Sequence, residues 1–315
     1  MLNSTSSPLT YFILGAYMDV GRLRYLYFLI IAVLYIIILI INTLMIVVIC
    51  VNRSLYEPMY MFLCSLFVNE LYGSSGLFPF LLVQILSDVH TVAAPLCFLQ
   101  IFCLYSYVNI EFCNLAVMSY DRYLAICYPL QYHIMLTHYK VILLIIMIWL
   151  YSFVKFLITL LLTVRLTLCG NVLNSTFCRN YLVVNLACSD TRLNNIYGLF
   201  GTVLTVLVPL LPILYSYIQI LLVVLSGSKQ TRQKAFNTCT PHLASLFNFC
   251  CLFESLHSRF DMITVPSELQ IILSLYFVIF QCLLNPIMHG MKLTKIRNAC
   301  KQLFWNKLIN DQLLT

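Results

Sequence analysis

Met118-Ser119-Tyr120-Asp121-Arg122-Tyr123-Leu124-Ala125-Ile126-Cys127-Tyr128-Pro129-Leu130 closes a long, mostly apolar run with an acid-base pair. A charge at the centre of a bilayer costs roughly 2.5–3.5 kcal/mol even on insertion scales, so Asp121 and Arg122 belong at a membrane face, with the preceding run inside the hydrocarbon. The whole chain agrees with this. Of its 315 residues 62% are hydrophobic and 9% charged, whereas soluble domains carry about 25% charge. Crossing the hydrocarbon as helix takes about 20 apolar residues. Seven runs qualify: 25–49, 58–85, 96–122, 141–163, 196–225, 238–257 and 269–290. They are apolar throughout rather than alternating, which excludes a β-barrel. The expected fold class is an all-α integral membrane protein, a seven-transmembrane-helix bundle.

An odd number of spans puts the termini on opposite sides. Eleven Lys and Arg residues fall on the C-terminal side against six on the N-terminal side, with Lys155 left inside a span. The positive-inside rule then places the C-terminus in the cytoplasm, although Arg22 and Arg24 beside the first span argue weakly the other way. The expected organisation is an extracellular segment 1–24, a helical domain 25–291 and a cytoplasmic stretch 292–315, in the plasma membrane. Residues 1–20 lack a basic start followed by a long apolar run, so the first span is expected to act as its own insertion signal. In 292–315, Leu293, Ile296, Cys300, Leu303 and Phe304 recur at helical spacing between basic residues. That pattern predicts a short amphipathic helix on the inner leaflet, with Cys300 open to palmitoylation. The net charge of +7 is explained by this cytoplasmic excess facing membrane lipid, and no nucleic-acid partner is expected.

Several strings in this chain are those of one family. Leu55-Tyr56-Glu57-Pro58-Met59-Tyr60-Met61-Phe62-Leu63 is close to an LHxPMYxFL pattern, and Lys234-Ala235-Phe236-Asn237-Thr238-Cys239-Thr240-Pro241-His242-Leu243 is near KAFSTCxSHL. The MSYDRYLAICYPL string departs from the family form only at Ser119 and Leu124, usually Ala and Val. With Leu186-Ala187-Cys188-Ser189-Asp190-Thr191 and Leu284-Asn285-Pro286-Ile287-Met288-His289-Gly290, the sequence resembles the odorant receptors among the rhodopsin-like G-protein-coupled receptors. The resemblance runs from about Leu55 to Phe304. Two departures stand out: His289 where the family usually has Tyr, and Cys250-Cys251 after Phe249 in place of aromatic-Tyr-Gly. Asn194-Asn195-Ile196-Tyr197-Gly198 further resembles receptors of the aquatic type.

The resemblance implies a receptor that binds an external small-molecule odorant and activates a heterotrimeric G protein of the stimulatory, olfactory kind through cAMP. Asp121, Arg122 and Tyr123, with Tyr217 and His242, are then the coupling residues. Cys97, Cys169, Cys178 and Cys188 fall on the outer side, and four cysteines allow three pairings. The resemblance implies Cys97–Cys178 and Cys169–Cys188. Sequons at Asn3 and Asn174 are expected to carry sugar, while Asn52 in a cytoplasmic turn stays bare.

Inside the spans, polar groups need partners. The Asn42 amide must reach a neighbouring helix, and Gly73-Ser74-Ser75-Gly76 suits close helix packing better than binding. Pro209 and Pro212 are expected to kink the fifth span. Glu70 and Glu111 lie mid-span and match acidic positions of a sodium site in related receptors, with Asn285 nearby. The alternative is a pair of neutral, hydrogen-bonded acids. No other cofactor is expected.

For the ligand, Tyr105, Val108 and Asn109 share a face of the third helix, and Thr202, Thr205, Phe253, Glu254 and His257 lie at the same depth. Lys155 is about 22 Å from the inner end of its span. Either it snorkels to the outer interface and Glu254 meets loop water, or one or both face the cavity and select a polar odorant of opposite charge. A transporter or channel would show internal repeats and interrupted helices, and no repeat is visible. An enzyme is not expected, since neither a His-Glu-x-x-His string nor a plausible Ser-His-Asp set occurs.

Overall fold

The computed structural model describes residues 10–17, 21–226, 279–288 and 295–299. Within them five helices are long and apolar enough to cross a membrane: α1 (Leu23–Val51), α2 (Pro58–Leu86), α3 (Ala94–Cys127), α5 (His138–Val164) and α7 (Arg192–Ser226). Between them lie two short helices, α4 (Tyr132–Met135) and α6 (Asn180–Asn185). A further apolar helix, α8 (Ile279–Met288), belongs to the expected seventh span. The expected sixth span, the Lys234–Leu243 string, Asn3, His242, Phe253, Glu254, His257 and Cys300 lie outside the described residues.

Each of the five long helices outruns the apolar stretch that predicts it, because helical hydrogen bonding continues past the hydrocarbon until a breaker intervenes. Pro58 opens α2 at a position where its missing N–H is no loss, and Pro95 serves α3 in the same way. Pro129 stops α3: it disfavours helical geometry at Tyr128, which falls in the cap. Pro209 and Pro212 lie within α7, and the helix runs unbroken through both.

The third helix is the axis of the bundle. Two thirds of its apolar window (67%) is buried, against 28% for α1, α5 and α7, which keep broad apolar faces outward. A helix hydrophobic all round sits in the middle or faces lipid. One core cluster, holding Phe62, Phe67, Leu124 and Ile296, fills the Asp121 end, and a second, holding Phe12, Phe78, Leu104 and Phe156, fills the opposite end. In α2 the small residues serve packing: a Cβ on Gly73 would run into the Tyr107 ring, and one on Gly76 would lie 2.9 Å from Cys103 Cβ. Asn42 donates to the Cys282 carbonyl of α8 at 3.0 Å, so its amide finds the neighbouring helix it requires.

A three-stranded sheet at the end opposite Asp121 adds to the expected helical architecture. Its order is β2-β1-β3, with β1 (Tyr11–Leu14) antiparallel to β2 (Thr91–Ala93) and parallel to β3 (Val172–Leu173). Alternation along β1 turns Phe12 and Leu14, 0% and 2% exposed, into the core and leaves Tyr11 out. Disulfides Cys97–Cys178 and Cys169–Cys188 tie the loop between α5 and α7 to the top of α3 and to itself. Tyr17 stacks on His90 at 4.4 Å and donates to the Thr176 carbonyl.

Candidate functional site

Three constellations hang on α3. At its Pro129 end, Asp121 is fully buried and accepts from Arg122 through Nε at 3.0 Å and Nη2 at 2.5 Å. Its other oxygen accepts from the Tyr132 hydroxyl at 2.6 Å. The Pro129 turn makes this possible by folding α4 back under α3. Burial, and then the adjacent carboxylate, push the Tyr132 phenol well above its ordinary range, so it stays a donor. Tyr123 packs its ring against Tyr128 and Tyr215, and Tyr217 is buried in the cluster between α3 and α7.

Mid-bundle, Glu70 and Glu111 are both fully buried. The Asn285 amide donates to both, at 2.8 Å to Glu111 Oε1. Gln281 reaches the same Glu111 oxygen at 3.0 Å, Asn69 reaches Oε2 at 3.1 Å, and the Tyr107 hydroxyl donates to Glu70 at 2.9 Å. Three helices thus converge on two carboxyl groups with no basic side chain bonded to them among the described residues. Asn69, which bonds Glu111 through its Nδ2, keeps its Oδ1 buried without a hydrogen bond. Every carboxyl oxygen of the pair accepts an amide or hydroxyl donor, so a hard cation held here would need Asn285 to present its Oδ1 in place of its Nδ2.

Towards the sheet, α3, α5, α6 and α7 enclose a cavity of about 60 Å³. Tyr105, Lys155, Thr202 and Thr205 line it together with Phe156 and Tyr197. Lys155 is 6% exposed and donates to Asn109 Oδ1 at 3.2 Å and to Thr205 Oγ1. It turns inward instead of snorkelling, because α3 and α7 offer oxygens within hydrogen-bond reach. Val108 and Asn109 stand behind this wall: Val108 packs in the α3–α7 cluster, and Asn109 bonds Lys155 and Ser152.

The family model for "Olfactory receptor" matches residues 31–307. The chain belongs to the olfactory receptor family. Olfactory receptor 5M5 of Mus musculus is 32% identical over 321 aligned positions, 100% of this chain and 98% of its own. Olfactory receptor 11A1 of Homo sapiens is 31% identical over 96% of each chain, and olfactory receptor 2A12 of Homo sapiens is 31% identical over 82% of this chain and 83% of its own.

In this olfactory receptor some contacts of the candidate site carry little signal in the sequence. Tyr132 carries no motif beyond its place after Pro129. Tyr107 and Gln281 read as ordinary span residues, and only their four-residue spacing from Glu111 and Asn285 hints that they share those faces. Asn174 is exposed, whereas Ser175 and Thr176 of its sequon are buried.

Proposed function

We infer that this olfactory receptor binds an external small-molecule odorant between α3, α5 and α7 and activates a heterotrimeric G protein of the stimulatory, olfactory type, raising cAMP. The supporting observation is that one helix carries both ends of the task. Tyr105 borders the cavity, and Arg122 lies 17 residues further along α3, roughly 25 Å at 1.5 Å per residue. The proposal includes seven spans, an extracellular N-terminus, a cytoplasmic C-terminus and an inner-leaflet helix. The Lys295–Glu57 ion pair at 2.5 Å and the buried Ile296 support that helix.

An agonist activates only by binding the active arrangement better than the resting one. Tyr105, Val108, Asn109, Lys155, Thr202 and Thr205, with Phe253, Glu254 and His257, form the proposed ligand region. Asp121 holds Arg122 at rest, and release frees the guanidinium for the G protein, with Tyr123, Tyr217 and His242 beside it. A sodium ion held by Glu70, Glu111 and Asn285 would neutralise the buried acids and tie α2, α3 and α8 in the resting form. Sugar at Asn3 and Asn174 and a palmitoyl group on Cys300 belong to the same proposal.

The deciding experiment is Arg122→Ala in the expressed receptor, screened for cAMP against amino acids, bile acids, amines and volatile odorants. Ligand-evoked cAMP should vanish while surface expression is kept. A mutant that signals fully refutes the coupling assignment.

A further inference from the structure

Lys155 is a cation buried inside the bundle, and among the described residues no carboxylate compensates it. An ammonium has three donors and no acceptor. Two donors are spent, on Asn109 Oδ1 at 3.2 Å and on Thr205 Oγ1. Both partners are neutral and themselves held, Asn109 by Ser152 at 2.7 Å and Thr205 by the Gly201 carbonyl at 2.8 Å. The Phe156 and Tyr151 rings, 5.1 and 5.7 Å from Nζ, add attraction for the cation but no negative charge. A charge so placed is costly unless something anionic joins it.

The cavity beside Lys155 supplies the place for that anion. Tyr197, Thr159, Thr202 and Asn194 line it with hydroxyl and amide groups. A cation with a spare donor beside a wall of hydroxyl and amide groups is built for a polar guest that accepts hydrogen bonds. At about 10–15 Å³ for each water-sized centre, the volume admits roughly four to six such positions. Resting on the odorant-receptor reading and narrowing it to a ligand class, we propose that this cavity binds a small carboxylate whose negative charge completes Lys155.

The test is thermal unfolding of the full-length receptor in lipid nanodiscs with butanoate, the isosteric neutral butanamide, and butylammonium. Butanoate at ten times its Kd should raise Tm by about 3 °C, and the other two should not. Lys155→Met should lose the butanoate shift, and Lys155→Arg should retain a part of it. If butanoate has no effect, if butanamide or butylammonium does as well, or if Lys155→Met keeps the whole shift, the proposal is overturned. Should Lys155→Met not fold, the wild-type discrimination between butanoate and butanamide decides alone. The readout needs no G protein. A carboxylate shift without a cAMP rise therefore supports this site and counts against the receptor reading, whereas cAMP responses to neutral odorants alone, with no butanoate shift, do the reverse.

Discussion

On the proposed reading the resting state turns on Asp121, whose two oxygens hold two different elements. Arg122 lies on its own helix, and Tyr132 comes from α4. A hydrogen bond to a charged group contributes roughly 1.5–3 kcal/mol when shielded, less where, as here, the Tyr132 donor is partly exposed. Tyr132→Phe removes it without changing ring volume, so resting cAMP should rise severalfold at unchanged surface expression. Resting cAMP equal to wild type would show that Tyr132 does not restrain Arg122. The carboxyl pair invites a second prediction at this scale. Replacing sodium by choline should raise resting cAMP in wild type by a factor of two or more, and Glu111→Gln should remove that dependence. Identical sodium responses in the two proteins would leave hydrogen-bonded neutral acids as the account of Glu70 and Glu111.

At the scale of elements, α2 approaches α3 closely because two glycines leave it room. The Gly73 face meets the Tyr107 ring, and the hydroxyl of the same tyrosine reaches Glu70 one turn earlier on α2. Overpacking a close contact typically costs about 1–3 kcal/mol, and here the ring cannot retreat without breaking its bond to Glu70. Gly73→Ala should therefore lower Tm and reduce surface expression, with Gly73→Val worse. A stable Gly73→Val protein would mean that α2 and α3 can separate without loss. The run Gly73-Ser74-Ser75-Gly76 made close packing legible in advance. The strand β1 was not legible: Tyr11–Leu14 follows a polar segment and is too short to show a period. Its pairing is fixed only by edges that come from residues 91–93 and 172–173.

For the molecule as a whole, the sheet and the disulfides make a cap whose stability should depend on pH through His90. Burial lowers the His90 pKa below its ordinary 6.5, against the opposing pull of a hydrogen bond with the Gln84 backbone and then of the Asp88 charge. A histidine depressed in this way favours folding fully above about pH 6.5 and loses that contribution as pH falls through its lowered folded value. Tm should thus drop between pH 7.5 and 5, and the drop should be smaller in His90→Gln. Equal drops would place the sensitivity elsewhere. The sequence by itself determined that this chain spans a membrane as helices, where the five long described helices begin and end to within about five residues, and which family it resembles. These follow from local composition and contiguous strings, since hydrocarbon demands that each span satisfy its own backbone. The tertiary structure alone decided which way Lys155 turns, that Tyr132 and Tyr107 serve the two acidic sites, and that the N-terminal strand closes the cap. Each of these depends on which partner from a distant part of the chain lies closest, such as Thr205 across 50 residues or Asn285 across 215, and no local pattern encodes that distance.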